Sequence, residues 1–234
     1  TSAAAIYGEL APSLAHLQDH ASPSTWKPDE ITILKRDMAA RMQFVGSIGI
    51  NPQSIVQMAQ AAATSRPRIT VDAGAHMISA TAFSKTSDPM DLLISNGLAT
   101  MGFALPAAVA AALEDPTRGA LAFTGDGGFM MCASELALAA QAGANLVVVV
   151  FNDATLSLID IKQKSRGLGQ QGTTWPRPNF AQVAKGLGCA AWQVNNVLDY
   201  QSALRDAFAV NGPALVDVVL DPKGYAEQLA ALRG

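Results

Sequence analysis

The sequence predicts an α/β protein in which helices cover both faces of a doubly wound, mostly parallel sheet. Three observations support this prediction. From about residue 51 onward, short apolar runs typical of strands alternate with segments of helical periodicity. Hydrophobic residues make up 50% of the 234 residues and charged residues 15%, which is enough for a sizeable core. Two of the apolar runs stop at glycines or acidic residues, as strands do at the edge where open α/β sheets bind ligands.

The individual elements follow from local patterns along the chain. Asn51 and Pro52 have the form of a helix N-cap followed by proline at the first helical position, and a helical stripe of apolar residues continues from there. The glycine-containing stretch 164–177 is predicted to be a mobile loop. The other predicted elements are, in order, strand 68–72, helix 74–83, helix 100–113, strand 119–124, helix 127–141, strand 145–151, helix 156–163, helix 180–186, strand 190–194, helix 200–208 and strand 213–220.

Residues 1–45 differ from the remainder because they contain no strand pattern. Two helical stripes lie on either side of a linker at 21–25, and they consist of Ile6, Leu10, Leu14 and Leu17, and then Ile31, Leu34, Met38 and Met42. We therefore expect residues 1–45 to form a helical lead-in and residues 46–234 to form the α/β domain.

The bulk composition argues against several classes of function. A net charge of −3 and a pI near 5.5 give no basic surface for nucleic acid. No apolar run reaches the roughly 18 residues of a membrane span. The two cysteines, Cys132 and Cys189, form no CxxC pair, and we expect both to be buried rather than bonded or metal-bound. A cytoplasmic location is expected, with neither nucleic acid nor a membrane as partner.

The two apolar runs that stop abruptly carry the main functional signal. One ends at Gly125, Asp126, Gly127 and Gly128, and the other ends at Asn152 followed by Asp153. Because parallel strands end at one edge of a sheet, the two aspartates are expected to meet there and to hold a hard cation such as Mg²⁺. The glycines let backbone N–H groups approach an anion, which the start of a helix also favours. A diphosphate bridged by Mg²⁺ fits this edge.

This arrangement resembles the thiamine-diphosphate motif of the family that includes acetolactate synthase, pyruvate oxidase and benzoylformate decarboxylase. In that family the motif usually closes with two asparagines, so Asp153 stands in place of the second one. The resemblance implies that Asp126, Asp153 and the backbone carbonyl of Thr155 hold the metal. It also implies that Gly125, with the N–H groups of Gly127 and Gly128, lies at the diphosphate. The fold it implies is the thiamine-diphosphate-binding form of the doubly wound sheet.

Three further segments resemble the same family in the same order. Residues 96–108 are similar to the segment that holds the aminopyrimidine, which implies contacts from Ala99 and an apolar wedge at Met101. Residues 72–76 are similar to the turn that contacts the diphosphate, which implies contacts from Ala75 and His76, although His76 could instead cap a helix. Residues 178–188 resemble a late part of the domain.

The substrate side of the site is less determined by the sequence. Leu156 and Leu158 could line a substrate pocket or face the core, and Trp175 could pack internally or close over a substrate. Lys162 occupies the position where biosynthetic acetolactate synthases have tryptophan, which argues against that particular activity.

The resemblance implies the C-terminal, cofactor-binding domain of an enzyme that requires thiamine diphosphate and Mg²⁺. Such an enzyme cleaves or forms a C–C bond next to a carbonyl, most often in a 2-oxo acid. The family's catalytic glutamate belongs to a separate pyrimidine-binding domain, so no residue here is assigned that role. Residues 1–45 resemble the tail of a preceding central domain. A homodimer or homotetramer is implied, and FAD is compatible with the full-length enzyme.

Two alternatives remain open at the level of sequence. The chain could be the small subunit of a two-chain 2-oxo acid decarboxylase, whose partner chain supplies the pyrimidine-binding domain. It could also be a catalytically silent binding module that keeps the same fold.

Overall fold

The computed structural model describes residues 7–44 and 49–233. Two compact units are distinguished, Thr1–Met38 and Ala39–Gly234. The first contains α1 (Leu10–His20) and most of α2 (Pro28–Met42), so the two predicted helices are confirmed. Ile6, the first residue of the predicted stripes, lies outside the described residues. The unit boundary falls inside α2 rather than near residue 45, and the assignment of this segment to a preceding domain stays a prediction.

The second unit is built on a six-stranded sheet in the order β2-β1-β3-β4-β6-β5. Every pairing between neighbouring strands is parallel, which confirms the predicted doubly wound α/β class. The strands are β1 (Arg68–Val71), β2 (Leu92–Ile94), β3 (Ala120–Gly125), β4 (Leu146–Asn152), β5 (Ala190–Val194) and β6 (Ala214–Val219).

Helices precede, connect or follow these strands. Asn51 caps α3 as predicted, because its side chain accepts a hydrogen bond from the N–H of Ser54 at 2.9 Å. Asn179 and Asn196 cap α9 and α10 in the same way. The helices of this unit are α3 (Pro52–Ala62), α4 (His76–Phe83), α5 (Ala104–Glu114), α6 (Asp126–Cys132), α7 (Glu135–Ala142), α8 (Ser157–Ser165), α9 (Phe180–Gly186), α10 (Val197–Ala209) and α11 (Lys223–Arg233).

The sheet has a hydrophobic core on each face. Along β4 the side chains alternate, so that Val147 and Val149 join one cluster while Val148 and Val150 join the other. The first cluster packs against α3, α4 and α10, and the second packs against α5, α7 and α9. Both Cys132 and Cys189 are buried and unbonded, as expected. Among the described residues, no helix is long and apolar enough to cross a membrane.

Several predicted boundaries were wrong for identifiable reasons. The helix expected at 127–141 is interrupted at Ala133 and Ser134, which separate α6 from α7. The helix expected from residue 100 begins at Ala104, because Ala99 and Gly102 adopt left-handed φ values of 49° and 78°. Strand β2 and helix α11 were not predicted. The three residues of β2 are only half-buried, and so short a strand at the sheet edge leaves no periodic pattern to detect.

Candidate functional site

A cleft opens at the carboxyl ends of β1, β3 and β4, on the edge where doubly wound sheets bind ligands. Its volume is about 690 Å³, including the part that is open to solvent. The residues assigned to cofactor and metal, together with Leu156 and Leu158, line this carboxyl-edge cleft, whereas Trp175 is not among the lining residues. The full lining consists of Ala73, Gly74, Ala75, His76, Ala99, Met101, Gly125, Asp126, Gly127, Gly128, Asp153, Thr155, Leu156, Ser157, Leu158, Ile159 and Tyr225.

Asp126 joins the ends of β3 and β4. It is the first residue of α6, directly after β3, and only 3% of it is exposed. Its carboxylate accepts hydrogen bonds from the N–H of Gly127 at 2.7 Å and from the N–H of Ala154 at 2.6 Å. The second bond fixes the loop after β4, and therefore Asp153, close to Asp126.

Asp153 is held by its own loop. One carboxylate oxygen accepts the N–H of Thr155 at 3.2 Å, and the other accepts the hydroxyl of Ser157. The carbonyl of Thr155 accepts the N–H of Ser157 at 2.8 Å, which leaves one lone pair of this oxygen for another partner. Ser157 was not among the residues suggested by the sequence.

The two aspartates share a poorly solvated space. Burial, followed by the negative charge of Asp153, raises the pKa of Asp126 to about 7. Burial also raises the pKa of Asp153 to about 6, although hydrogen bonds from Ser157 and Thr155 oppose the effect. The charge of Arg177 lowers the pKa of Asp153 but does not overcome the effect of burial. A divalent cation would supply further positive charge, and carboxylate and carbonyl oxygens are the ligands that Mg²⁺ takes.

Only two carboxylates are available to such a cation. Among the described residues, no group of three or more His, Cys, Asp or Glu side chains is placed to hold a metal. The remaining ligands of a bound Mg²⁺ must therefore come from backbone oxygen, water or a ligand. This donor set suits Mg²⁺ bound together with a phosphate ligand, because Mg²⁺ usually binds through one or two carboxylates plus phosphates and water.

The loop after β4 is anchored from the opposite side by a buried polar network. The side-chain amide of Asn152 donates to Asp217 at 2.8 Å and to the carbonyl of Pro178 at 3.0 Å. The backbone carbonyl of Asn152 accepts a hydrogen bond from Arg177 at 3.0 Å. Burial raises the pKa of Asp217, while the bond from Asn152 opposes this shift. Asn152 therefore has a structural role, and it sets the direction in which the next residue, Asp153, points.

The glycines after β3 are needed for close packing as well as for backbone access. A Cβ atom on Gly127 would lie 2.7 Å from a methyl group of Leu156 and 3.2 Å from the methyl group of Met101. A Cβ atom on Gly128 would collide with the carboxylate of Asp72. Both glycines are buried, and with no side chain at either position the backbone of α6 itself lines the cleft.

Asp72 fixes the segment that carries Met101. This residue directly follows β1, is fully buried, and accepts hydrogen bonds from the N–H groups of Gly102 at 3.0 Å and Phe103 at 3.2 Å. It also accepts the hydroxyl of Thr124 at 2.9 Å. The carboxylate therefore ties the turn before α5 to the ends of β1 and β3. The sequence located Asp72 within a motif but gave no indication of this clamp.

His76 presents an unpaired nitrogen atom in the wall of the cleft. The residue is 3% exposed, and its ring lies 5.4 Å from the ring of Phe151. Burial lowers the pKa of His76 to about 4, although the charge of Asp72 opposes this shift. Its Nε2 atom has no hydrogen-bond partner within the described part of the chain. His76 begins α4, where no side chain caps the helix, so the capping alternative is not what the structure shows.

Apolar residues form the wall on the side of α8. Leu156, Leu158 and Ile159 line the cleft, and Leu158 also packs against the core. The substrate role of Leu156 and Leu158 stays a prediction. The ring of Trp175 reaches within 3.5 Å of where a Gly127 Cβ atom would lie. The loop that carries Trp175 is bound to the loop after β4, since the N–H of Leu156 donates to the carbonyl of Thr173 at 2.8 Å. The end of the predicted mobile loop is therefore held in place.

Fold and site together define a class of protein. The second unit is a doubly wound α/β domain whose carboxyl edge has a buried and a half-buried aspartate, a helix with two glycines in its first turn, and an imidazole with one nitrogen unpaired among the described residues. Residues 72–218 match the family described as the thiamine pyrophosphate enzyme, C-terminal TPP binding domain. The chain belongs to this family.

Curated relatives agree with this assignment. The chain is 37% identical over 157 residues to acetolactate synthase isozyme 1 large subunit of Escherichia coli (strain K12), a match that covers 65% of the chain and 28% of the relative. It is 29% identical over 171 residues to acetolactate synthase of Bacillus subtilis (strain 168), with 73% of the chain and 30% of the relative covered. These relatives are much longer, and the matched part is under a third of each.

Solved structures agree on the fold. A thiamine diphosphate-dependent 4-hydroxybenzoylformate decarboxylase from Rhodococcus jostii RHA1 superposes with a TM-score of 0.71 at 24% identity. That match covers 76% of the chain and 34% of the decarboxylase. Benzoylformate decarboxylase from Polynucleobacter necessarius also gives a TM-score of 0.71, at 15% identity, over 77% of the chain and 35% of the neighbour.

Proposed function

We propose that the carboxyl-edge cleft binds thiamine diphosphate through Mg²⁺, and that the chain is the cofactor-binding part of an enzyme that cleaves or forms a C–C bond next to a carbonyl. We propose a 2-oxo acid as the substrate class, which makes the enzyme a lyase or transferase. The observation that carries this proposal is the convergence of Asp126 and Asp153, from the ends of adjacent strands, beside the backbone of Gly127 and Gly128.

Asp126, Asp153 and the carbonyl of Thr155 would hold the Mg²⁺. Each of these groups is already positioned by backbone hydrogen bonds, so little reorganisation is needed when the cation binds. The N–H group of Gly128 and the ring of His76 would contact the diphosphate, with Ala75 and Gly125 alongside. The N–H group of Gly127, which already donates to the Asp126 carboxylate, would be shared with the diphosphate. A neutral imidazole with a free ring nitrogen can serve this role without opposing the metal charge.

The remaining lining residues would orient the cofactor and exclude water. Met101 projects toward Gly127 from a turn that Asp72 clamps, which supports its role as the apolar wedge, and the backbone of Ala99 lies in the same turn. Leu156 and Leu158 form an apolar wall on the proposed substrate side. When bound, thiamine diphosphate supplies the stabilisation of carbanions that the reaction requires.

Other parts of the enzyme are proposed to lie outside this chain. The family resemblance calls for a pyrimidine-binding domain that carries the catalytic glutamate, either in a longer chain or in a partner chain. We propose a homodimer or homotetramer in the cytoplasm, acting on a small molecule, with FAD as an optional further cofactor of the full-length enzyme. A silent module is the weaker alternative, because it would need neither the carboxylate pair nor the glycine backbone in the cleft.

Calorimetry of thiamine diphosphate binding to the native-length protein tests this proposal. Binding is expected only when Mg²⁺ is present, and Asp126→Ala should abolish it without changing the circular dichroism spectrum. Asp160→Asn is a matched control, because Asp160 is also buried but pairs with Lys164 at 2.6 Å and lies outside the cleft. Equal affinity with and without Mg²⁺, or unchanged affinity in Asp126→Ala, would contradict the assignment.

A further inference from the structure

Tyr225 is a cleft residue that no sequence motif indicated. It lies near the start of α11, the C-terminal helix, and lines the carboxyl-edge cleft although only 2% of it is exposed. Its ring packs in the core cluster on the face of the sheet that carries α4 and α10. A phenol in this position has its apolar ring in the core and its polar end at the cleft.

A buried amide network fixes the helix that carries Tyr225. Gln228, one helical turn later, is 1% exposed and donates to the carbonyl of Met42 at 3.1 Å and to the side chain of Gln53 at 3.2 Å. Its own oxygen accepts the hydroxyl of Ser79 at 2.5 Å. Three elements therefore hold the helix, and because residues three apart share a helix face, they also fix the direction of Tyr225.

The hydroxyl of Tyr225 lacks a partner of its own. Within the described part of the chain it makes no hydrogen bond, whereas Tyr200, the other fully buried tyrosine, donates to the carbonyl of Ile55 at 3.0 Å. Burial, together with the charges of Asp153 and Asp126, raises the pKa of Tyr225 well above its usual value. The hydroxyl therefore stays protonated and can act as a donor.

A second unpaired group in the same cleft indicates which kind of ligand would accept a hydrogen bond from the Tyr225 hydroxyl. The Nε2 atom of His76 is buried without a partner in the part of the chain that the structure describes, and both side chains line the cleft. Buried polar groups are normally hydrogen-bonded, so a buried ring nitrogen without a partner, in the same cleft as a phenol with no partner among the described residues, indicates a ligand rich in hydrogen-bonding atoms. A diphosphate has this property, and it would bring its oxygens beside the carboxylate pair that binds Mg²⁺.

We propose that the Tyr225 hydroxyl donates a hydrogen bond to the diphosphate of the bound cofactor, and that α11 is thereby part of the cofactor site. This inference rests on the proposed function. It assigns a binding role to a helix that follows the last strand and lies outside the matched residues 72–218. Removal of the hydroxyl leaves no group unpaired among residues 7–44 and 49–233, so a loss of affinity cannot be attributed to a broken bond between these residues.

The test compares Tyr225→Phe with Tyr200→Phe in the native-length protein. Affinities for thiamine diphosphate and for inorganic pyrophosphate are each measured by calorimetry at saturating Mg²⁺. Tyr225→Phe should weaken the binding of both ligands by a similar factor, about ten-fold, as expected for loss of one hydrogen bond to a charged group. Tyr200→Phe removes an internal bond, so it should lower the melting temperature and leave both affinities unchanged.

Each outcome separates this inference from the function on which it rests. If Tyr225→Phe binds both ligands within two-fold of the parent protein, or loses affinity for thiamine diphosphate alone, the contact with the diphosphate is refuted. If the parent binds pyrophosphate but not thiamine diphosphate, the proposed function fails, and a ten-fold loss for pyrophosphate in Tyr225→Phe still supports the contact. If the parent binds neither ligand, both proposals are overturned.

Discussion

Replacement of Asp153 by asparagine should stabilise the protein when no metal is bound. The asparagine keeps the shape of the side chain, and its carbonyl oxygen can still accept the N–H of Thr155. What is lost is a buried negative charge beside Asp126. The pKa of Asp153 rises from 3.8 to about 6 on folding. A rise of about two units corresponds to roughly 3 kcal/mol at 1.36 kcal/mol per unit, so the expected gain in the free energy of unfolding is about 2–3 kcal/mol.

The pH dependence of this gain identifies its cause. When folding raises the pKa of an acid, the acid lowers the free energy of unfolding. This penalty is complete above the raised pKa, where the acid is ionised in both the folded and the unfolded state. The penalty vanishes below 3.8, where it is protonated in both states. The gain from Asp153→Asn should therefore be complete above about pH 7 and should disappear as the pH falls toward 4. Saturating Mg²⁺ should reduce the gain, because the cation neutralises the same charge.

Urea unfolding in EDTA at pH 8, pH 6 and pH 4 measures this effect, and the pH 8 series is repeated with Mg²⁺. Asp160→Asn is the control, and it should lose stability because it leaves the charge of Lys164 without its partner. A gain below about 0.5 kcal/mol at pH 8, or a gain of equal size at pH 4, would refute the electrostatic account of the pair.

Three further substitutions test other parts of the site. Asp72→Ala leaves three part-buried N–H groups and a hydroxyl without this acceptor. It should lower the free energy of unfolding by about 3 kcal/mol in urea titrations, and a loss under about 1 kcal/mol would contradict the clamp. Gly128→Ala places a methyl group against the Asp72 carboxylate and should weaken cofactor binding at least ten-fold, whereas Gly186→Ala, with open space around it, should not. Trp175 packs over the site, so addition of cofactor with Mg²⁺ should change the tryptophan fluorescence of the parent protein and of the control Trp192→Phe, but not that of Trp175→Phe. If Trp175→Phe shows the same fluorescence change as the parent, the ring of Trp175 lies away from the cofactor.

The sequence predicted the position of the site residues best where those residues directly follow a strand. The apolar runs of β3 and β4 stop at Asp126 and Asp153, and this pattern alone placed both side chains at one edge of a parallel sheet. The structure brings them into one cleft. A periodic pattern with a capping asparagine likewise located α3, because the capping bond to Ser54 spans only three residues.

Contacts between distant parts of the chain could not be predicted in this way. The partners of Asp72 lie 30 to 52 residues away, so nothing close to Asp72 in the sequence indicates the clamp. Tyr225 reaches the cleft only because Gln228 is held by residues 149 to 186 positions away. Strand β2 depends on pairing with β1 rather than on its own three residues.

The central claim is that a divalent cation joins Asp126 and Asp153 to the diphosphate of the cofactor. A crystal structure of the native-length protein with thiamine diphosphate and Mn²⁺ in place of Mg²⁺ tests it most directly, because Mn²⁺ can be located by its anomalous scattering. We predict one strong peak between the two carboxylates and the carbonyl of Thr155, with the diphosphate against the backbone of Gly127 and Gly128. A peak away from this pair, or a cofactor bound with its diphosphate outside the cleft, would contradict the claim.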